Sequence, residues 1–147
     1  MIASQWSVQN YIELVQRLQS DGPVRVILVG GPDDREITDH IIQTCPGCLD
    51  ATDLSLGDMA SVLRRSNFFI GSDNARNSIA VAMGIPCIRI FNPAGSHLPT
   101  SYSNAHDASV VSKEAKVNIE GKSCKSSDPE YPVVVSVDEV WQHLKTS

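Results

Sequence analysis

NFFIGSDNARNSIAVAMGIPCIRIF, residues 67–91, reads as a strand, a polar turn, a short helix and a second strand, and that reading decides the fold class. Phe68, Phe69 and Ile70 form an apolar run ended by Gly71, and Cys87–Phe91 is a second such run. Both suit strands covered on two faces of a parallel sheet. Between them residues 79–83 have helical composition, and Gly84 followed by Pro86 supplies the stop. Ligands of open parallel sheets bind outside the carboxyl ends of the strands, which places Gly71, Ser72, Asp73 and Asn74 at the favoured address.

The same alternation extends in both directions. Upstream, residues 7–20 put Val8, Tyr11, Ile12, Val15 and Leu18 on one helical face, with Ser7 as N-cap and Gly22 beyond the end. A β-rich run over residues 24–29 follows and is closed by Gly30 and Gly31. Asp33 and Glu36 stand at capping-box spacing and open a helix that runs to about Thr44, with a short strand near residues 49–51. Ser55 and Asp58 open a third helix carrying Met59, Ala60, Val62 and Leu63 on one face, and Arg64 and Arg65 complement its carboxyl end. Downstream, residues 92–107 and 113–132 are polar and read as long loops, one of them near the ligand. Ser136 and Glu139 form a last capping box, ahead of Val137, Val140, Trp141 and Leu144 at the spacing of a docked helix. The expected fold is α/β, a three-layer Rossmann-like parallel sheet, with residues 1–147 as a single domain and no internal repeat.

At 147 residues the chain has the length of one ordinary domain. A net charge of −5 with scattered Lys and Arg disfavours a nucleic-acid partner, which requires a basic face. No apolar run approaches the roughly 18 residues of a transmembrane helix, and the first ten residues lack a signal-peptide pattern, so the expected location is cytoplasmic. Cys45-Pro46-Gly47-Cys48 has the form of a redox C-x-x-C, yet its first Cys follows a helical segment where such motifs place it at a helix start. Pro-Gly closing a helix is the favoured reading. A metal site would want a second C-x-x-C or paired His, and neither is present.

Two strand-to-helix turns carry the candidate chemistry. The first, Gly30-Gly31-Pro32-Asp33-Asp34-Arg35-Glu36, has three carboxylates that would repel a phosphate but accept hydrogen bonds from sugar hydroxyls. Glu36 is the candidate ribose contact; the alternative is that it only completes the capping box with Asp33. The second, Ser72-Asp73-Asn74-Ala75-Arg76-Asn77-Ser78, opens a helix whose free N–H groups favour a diphosphate, with Arg76 as a counter-charge. Its alternative is simple capping by Ser72, Asp73 and Asn74. His97, in the loop after the second strand, is a candidate to reach across the same crevice, against the plain reading of a solvated loop histidine. His40, His106 and His143 have no evident partner, and no nucleophile elbow, Walker loop or H-E-x-x-H occurs.

Taken in series, these residues resemble the C-terminal half of glycosyltransferase family nine, the lipopolysaccharide heptosyltransferases that use ADP-heptose. The resemblance runs from about Trp6 to the end. It rests on Trp6 with its helix, the Gly30 to Glu36 turn, Leu54-Ser55-Leu56, Ile70-Gly71-Ser72-Asp73, Ala80-Val81-Ala82-Met83-Gly84-Ile85-Pro86 and Phe91-Asn92-Pro93. It implies a two-domain transferase of the GT-B type, in which this half binds the nucleotide sugar, an N-terminal half binds the acceptor, and no cofactor is used. By that likeness Glu36 contacts ribose, and Asp73 with the following backbone amides cradles the diphosphate and sugar. The donor-binding set is then Gly31, Glu36, Ser72, Asp73, Asn74, Ala75, Arg76, Ser78 and His97.

Departures from the family are equally specific. Its turn reads Asp-Ser/Thr-Gly-x-x-His, where this chain has Asp73, Asn74, Ala75, Arg76, Asn77 and Ser78, so the Gly and the His are missing. Gln5 stands where the family tends to carry a Lys before the Trp, and Gln cannot neutralise a leaving diphosphate. Two functions therefore stand side by side. One is the donor domain of a glycosyltransferase in lipopolysaccharide or other glycan synthesis; the other is a degenerate, non-catalytic binding module on the same fold.

Overall fold

The computed structural model describes residues 6–72, 75–91, 107–111 and 136–146. The chain divides into two compact units, one of residues 7–65 and one of residues 1–6 with 66–147.

In the first unit, α1 (Val8–Asp21) starts at Ser7, whose hydroxyl accepts the Asn10 N–H at 3.1 Å, and buries Ile12, Leu14 and Val15. β1 (Ile27–Gly30) follows, then a 3₁₀ turn over Pro32–Asp34, α2 (Arg35–Thr44) and β2 (Leu49–Thr52). The two strands are parallel, with Ile27 opposite Leu49 and Gly30 opposite Thr52. β1 is shorter than the β-rich run that announced it. The Leu49 N–H donates to the Val26 carbonyl at 2.9 Å, so among the described residues the pairing with β2 starts at Val26, and Val24 is left 48% exposed. α2 packs on α1 and both strands, around a core of Ile12, Val15, Ile41, Cys45 and Cys48. α3 (Leu56–Arg64) begins at Ser55, which accepts the Asp58 N–H at 3.2 Å, and buries Met59 and Leu63.

In the second unit, β3 (Phe69–Ser72), β4 (Cys87–Phe91) and β5 (Asp107–Val111) form a parallel sheet with β4 central, and Phe69, Cys87 and Asp107 lie level. β3 runs through Gly71, where the sequence reading ended it, to Ser72. The Phe69 ring lies so close that a Cβ on Gly71 would meet it at 3.1 Å, so the glycine serves the strand rather than stopping it.

α4 (Ala75–Ala82) packs on β3 and β4. It ends in a Schellman motif: Gly84 adopts φ +72°, its N–H reaches the Val81 carbonyl at 2.9 Å, and the Ile85 N–H reaches Ala80 at 3.1 Å. Ala80, Cys87, Ile88 and Ile90 are completely buried. α5 (Val137–Thr146) lies on β4 and β5 with Val137 and Val140 buried. Its capping box is reciprocal: the Ser136 N–H donates to Glu139 Oε2 at 2.9 Å, and the Glu139 N–H to Ser136 Oγ at 3.3 Å.

β5 is an addition to the sequence reading, which placed Asp107 at the end of a loop. The other residues of the two expected loops, 92–106 and 113–132, lie outside the described residues. Among the described residues helices and parallel strands alternate from α1 to β4, an α/β fold. Among the described residues no helix is long and apolar enough to cross a membrane.

Candidate functional site

The turn after β1 is built by Asp34, not by the pair the spacing suggested. Its carboxylate accepts the Gly31 N–H at 2.8 Å, and its own N–H returns to the Gly31 carbonyl at 3.0 Å. Pro32 at the first position of the 3₁₀ turn draws the backbone in one step early, so the cap closes at Gly31 and Asp34 instead of at Asp33 and Glu36. Gly30 is part of the device, because a Cβ there would stand 2.8 Å from the Asp34 Cβ. Its carbonyl accepts the Asp53 N–H at 2.9 Å, and Asp53 holds φ +60°, a left-handed conformation that Asp tolerates better than most residues.

Glu36 is released by this arrangement. It occupies the first turn of α2, is exposed, and has no hydrogen-bond or ion-pair partner among the described residues. Arg35 beside it is engaged with Asp50 at 3.4 Å. The Asp50 carboxyl is held below its ordinary range, first by the Thr52 hydroxyl at 2.5 Å and then by the Thr52 N–H at 2.9 Å, with a smaller contribution from Arg35. Leu54 and Leu56, which flank the Ser55 cap just beyond β2, are 39% and 67% exposed.

The turn after β3 belongs to the other unit. Ser72 ends the strand and Ala75 begins α4; Asp73 and Asn74 between them lie outside the described residues, as does His97. In the first turn of α4, Arg76 is half-buried, Ser78 is exposed, and Asn77 is 1% exposed. Asn77 is a buried polar residue at the start of a helix, a feature the sequence reading passed over for its charged neighbour. A polar residue at the third position of the helix, five places after the strand, is the signal the sequence holds for it.

Gly31 and Glu36 thus share one turn, and Ser72, Ala75, Arg76 and Ser78 share the other. The C-x-x-C sits where the sequence reading put it, closing a helix: Cys45 is the C-cap of α2 and Gly47 adopts φ +95°. Burial pushes both the Cys45 and Cys48 thiols up, the reverse of an activated redox pair. Among the described residues no cluster of His, Cys, Asp and Glu is arranged to hold a metal ion.

The family model for glycosyltransferase family 9 (heptosyltransferase) matches residues 2–127. Solved structures agree with it at the level of fold. The crystal structure of a family 9 glycosyl transferase from Veillonella parvula superposes with a TM-score of 0.76 at 19% identity, covering 99% of this chain and 42% of that one. E. coli ADP-heptose lps heptosyltransferase II gives 0.75 at 16% identity, again covering 99% and 42%. An E. coli heptosyltransferase solved with ADP-2-deoxy-2-fluoro heptose gives 0.68 at 17% identity, covering 96% and 38%. The chain therefore spans less than half the length of these proteins. No curated protein sequence matches it.

Proposed function

This chain belongs to glycosyltransferase family 9, and on that premise we propose that it is the donor-binding part of a GT-B transferase, taking an ADP-heptose-like nucleotide sugar. In this reading residues 1–147 act as one donor domain, and an N-terminal acceptor-binding domain completes the enzyme. The release of Glu36 from the helix cap supports it most directly. A carboxylate in the first turn of a helix that follows a parallel strand, with no partner among the described residues, has the chemistry of a ribose-hydroxyl acceptor. The amino end of α4, with Arg76 in its first turn, supplies N–H groups and positive charge of the kind a diphosphate requires. ADP heads the list of ligands because the structural neighbours include heptosyltransferases solved with ADP and with an ADP-sugar analogue.

Calorimetric titration of the chain with ADP and with UDP tests this. Saturable binding that favours ADP is the expected result, with transfer of sugar absent until an acceptor-binding domain is supplied. A flat titration with both nucleotides at millimolar concentration would refute the donor reading for these residues.

A further inference from the structure

Cys45-Pro46-Gly47-Cys48 takes no part in either polar turn, yet its geometry is specific. Pro46 followed by Gly47 at φ +95° is the residue order of a type II β-turn, with Cys45 at the first corner and Cys48 at the fourth. Such a turn holds its first and fourth Cα atoms within about 7 Å, the span a disulfide bridges. Both side chains enter the same apolar cluster, beside Ile12, Val15 and Ile41, and both are free thiols, 1% and 9% exposed. Gln19 of α1 braces the turn from outside: its Nε2 donates to the Pro46 carbonyl at 3.0 Å and lies 4.0 Å from Cys48 Sγ.

We propose that Cys45 and Cys48 form a redox clip, closing a disulfide across the Pro46-Gly47 turn in the presence of a low-molecular-weight disulfide and fastening the end of α2 to the start of β2. The Cys48 thiol, the more exposed of the two, loses its proton and attacks the small disulfide, giving a mixed disulfide and one small thiol. Cys45 then loses its proton and attacks Cys48 Sγ, forming the intramolecular S–S bond and expelling the second small thiol. Two protein thiols are oxidised and one small disulfide is reduced to two thiols.

Burial sets the character of the clip. Both thiols are pushed up by desolvation, and Cys48 further by its neighbour Cys45, so attack is slow near neutral pH and quickens as pH rises. The same environment gives the reduced state no stabilised thiolate, which makes the closed disulfide hard to reduce. A C-x-x-C at a helix amino end behaves in the opposite way.

The test incubates the full chain with glutathione disulfide at neutral and mildly alkaline pH, then alkylates, digests and maps the peptides by mass. The expected product is one peptide in which Cys45 and Cys48 both escape alkylation and the mass falls by two hydrogen atoms, formed faster at the higher pH. The oxidised chain should melt above the reduced one, and Cys45→Ser and Cys48→Ser should each abolish that gain. The proposal is overturned if both cysteines stay open to alkylation at alkaline pH, if each ends as a separate glutathione adduct, or if the closed form melts below the reduced chain. ADP titration reads a different part of the molecule, so failure of the donor reading leaves this result standing.

Discussion

Gly30 shows how one residue decides the shape of the first turn. Its missing side chain makes room for Asp34, whose carboxylate then takes the Gly31 N–H, and that bond in turn frees Glu36. Gly30→Ala should therefore cost about 1–3 kcal/mol, the usual range for overpacking, read as a lower urea midpoint at unchanged slope. Glu36→Gln should leave that midpoint in place, since Glu36 has no partner among the described residues. On the donor reading it weakens ADP binding by roughly 10- to 100-fold, the scale of a lost hydrogen bond to a charged group. Equal binding by both proteins would remove Glu36 from the site. Asp50 gives a pH-dependent counterpart. Its carboxyl is held below the ordinary aspartate range, so its stabilising contribution is complete above that range and disappears as pH falls through the lowered value. Urea unfolding followed from neutral to acid pH should show a smaller acid loss in Asp50→Asn than in the parent, and parallel curves would contradict this.

Elements were legible where their signals are local. Ser7, Ser55 and the Ser136/Glu139 box each place a helix start within a residue of its position, because a cap involves groups no more than four residues apart. Ser136→Ala should cost about 1 kcal/mol, visible in thermal melts as a shift confined to the helical signal of α5 or to the whole transition. Gly84→Ala should lose roughly 1–2 kcal/mol, the penalty for a side chain in the left-handed region, because φ there is +72°. Strand boundaries were harder. β1 begins where β2 can reach it, and β5 joins the sheet beside a residue twenty positions upstream, Asp107 level with Cys87. Five residues of moderate β-propensity carry no sign of that neighbour. The completely buried Ile88 in the central strand marks how much rests on the sheet: Ile88→Ala should cost about 2–5 kcal/mol, and a smaller loss would mean that β4 is not the packed centre of its unit.

Across the whole chain, family membership and a fold shared with heptosyltransferases stand together with a length under half that of the matched structures. If these residues bind the donor, ADP should raise the melting temperature in proportion to the logarithm of its concentration once saturation is passed, as mass action requires of a ligand that binds only the folded state. The order of helices and strands, the helix caps, the two polar turns and the family resemblance were all present in the sequence, since each depends on periodicity or on contacts within a few residues. Which carboxylate closes the first cap was a choice among local alternatives, taken by Asp34 three residues from Gly31; where β1 begins, that residues 107–111 are a strand, and that Cys45 and Cys48 enter one cluster were decided only in the folded chain. Those last features depend on what lies beside a residue in space, and a neighbour brought in from twenty or more positions away leaves no mark on the local pattern.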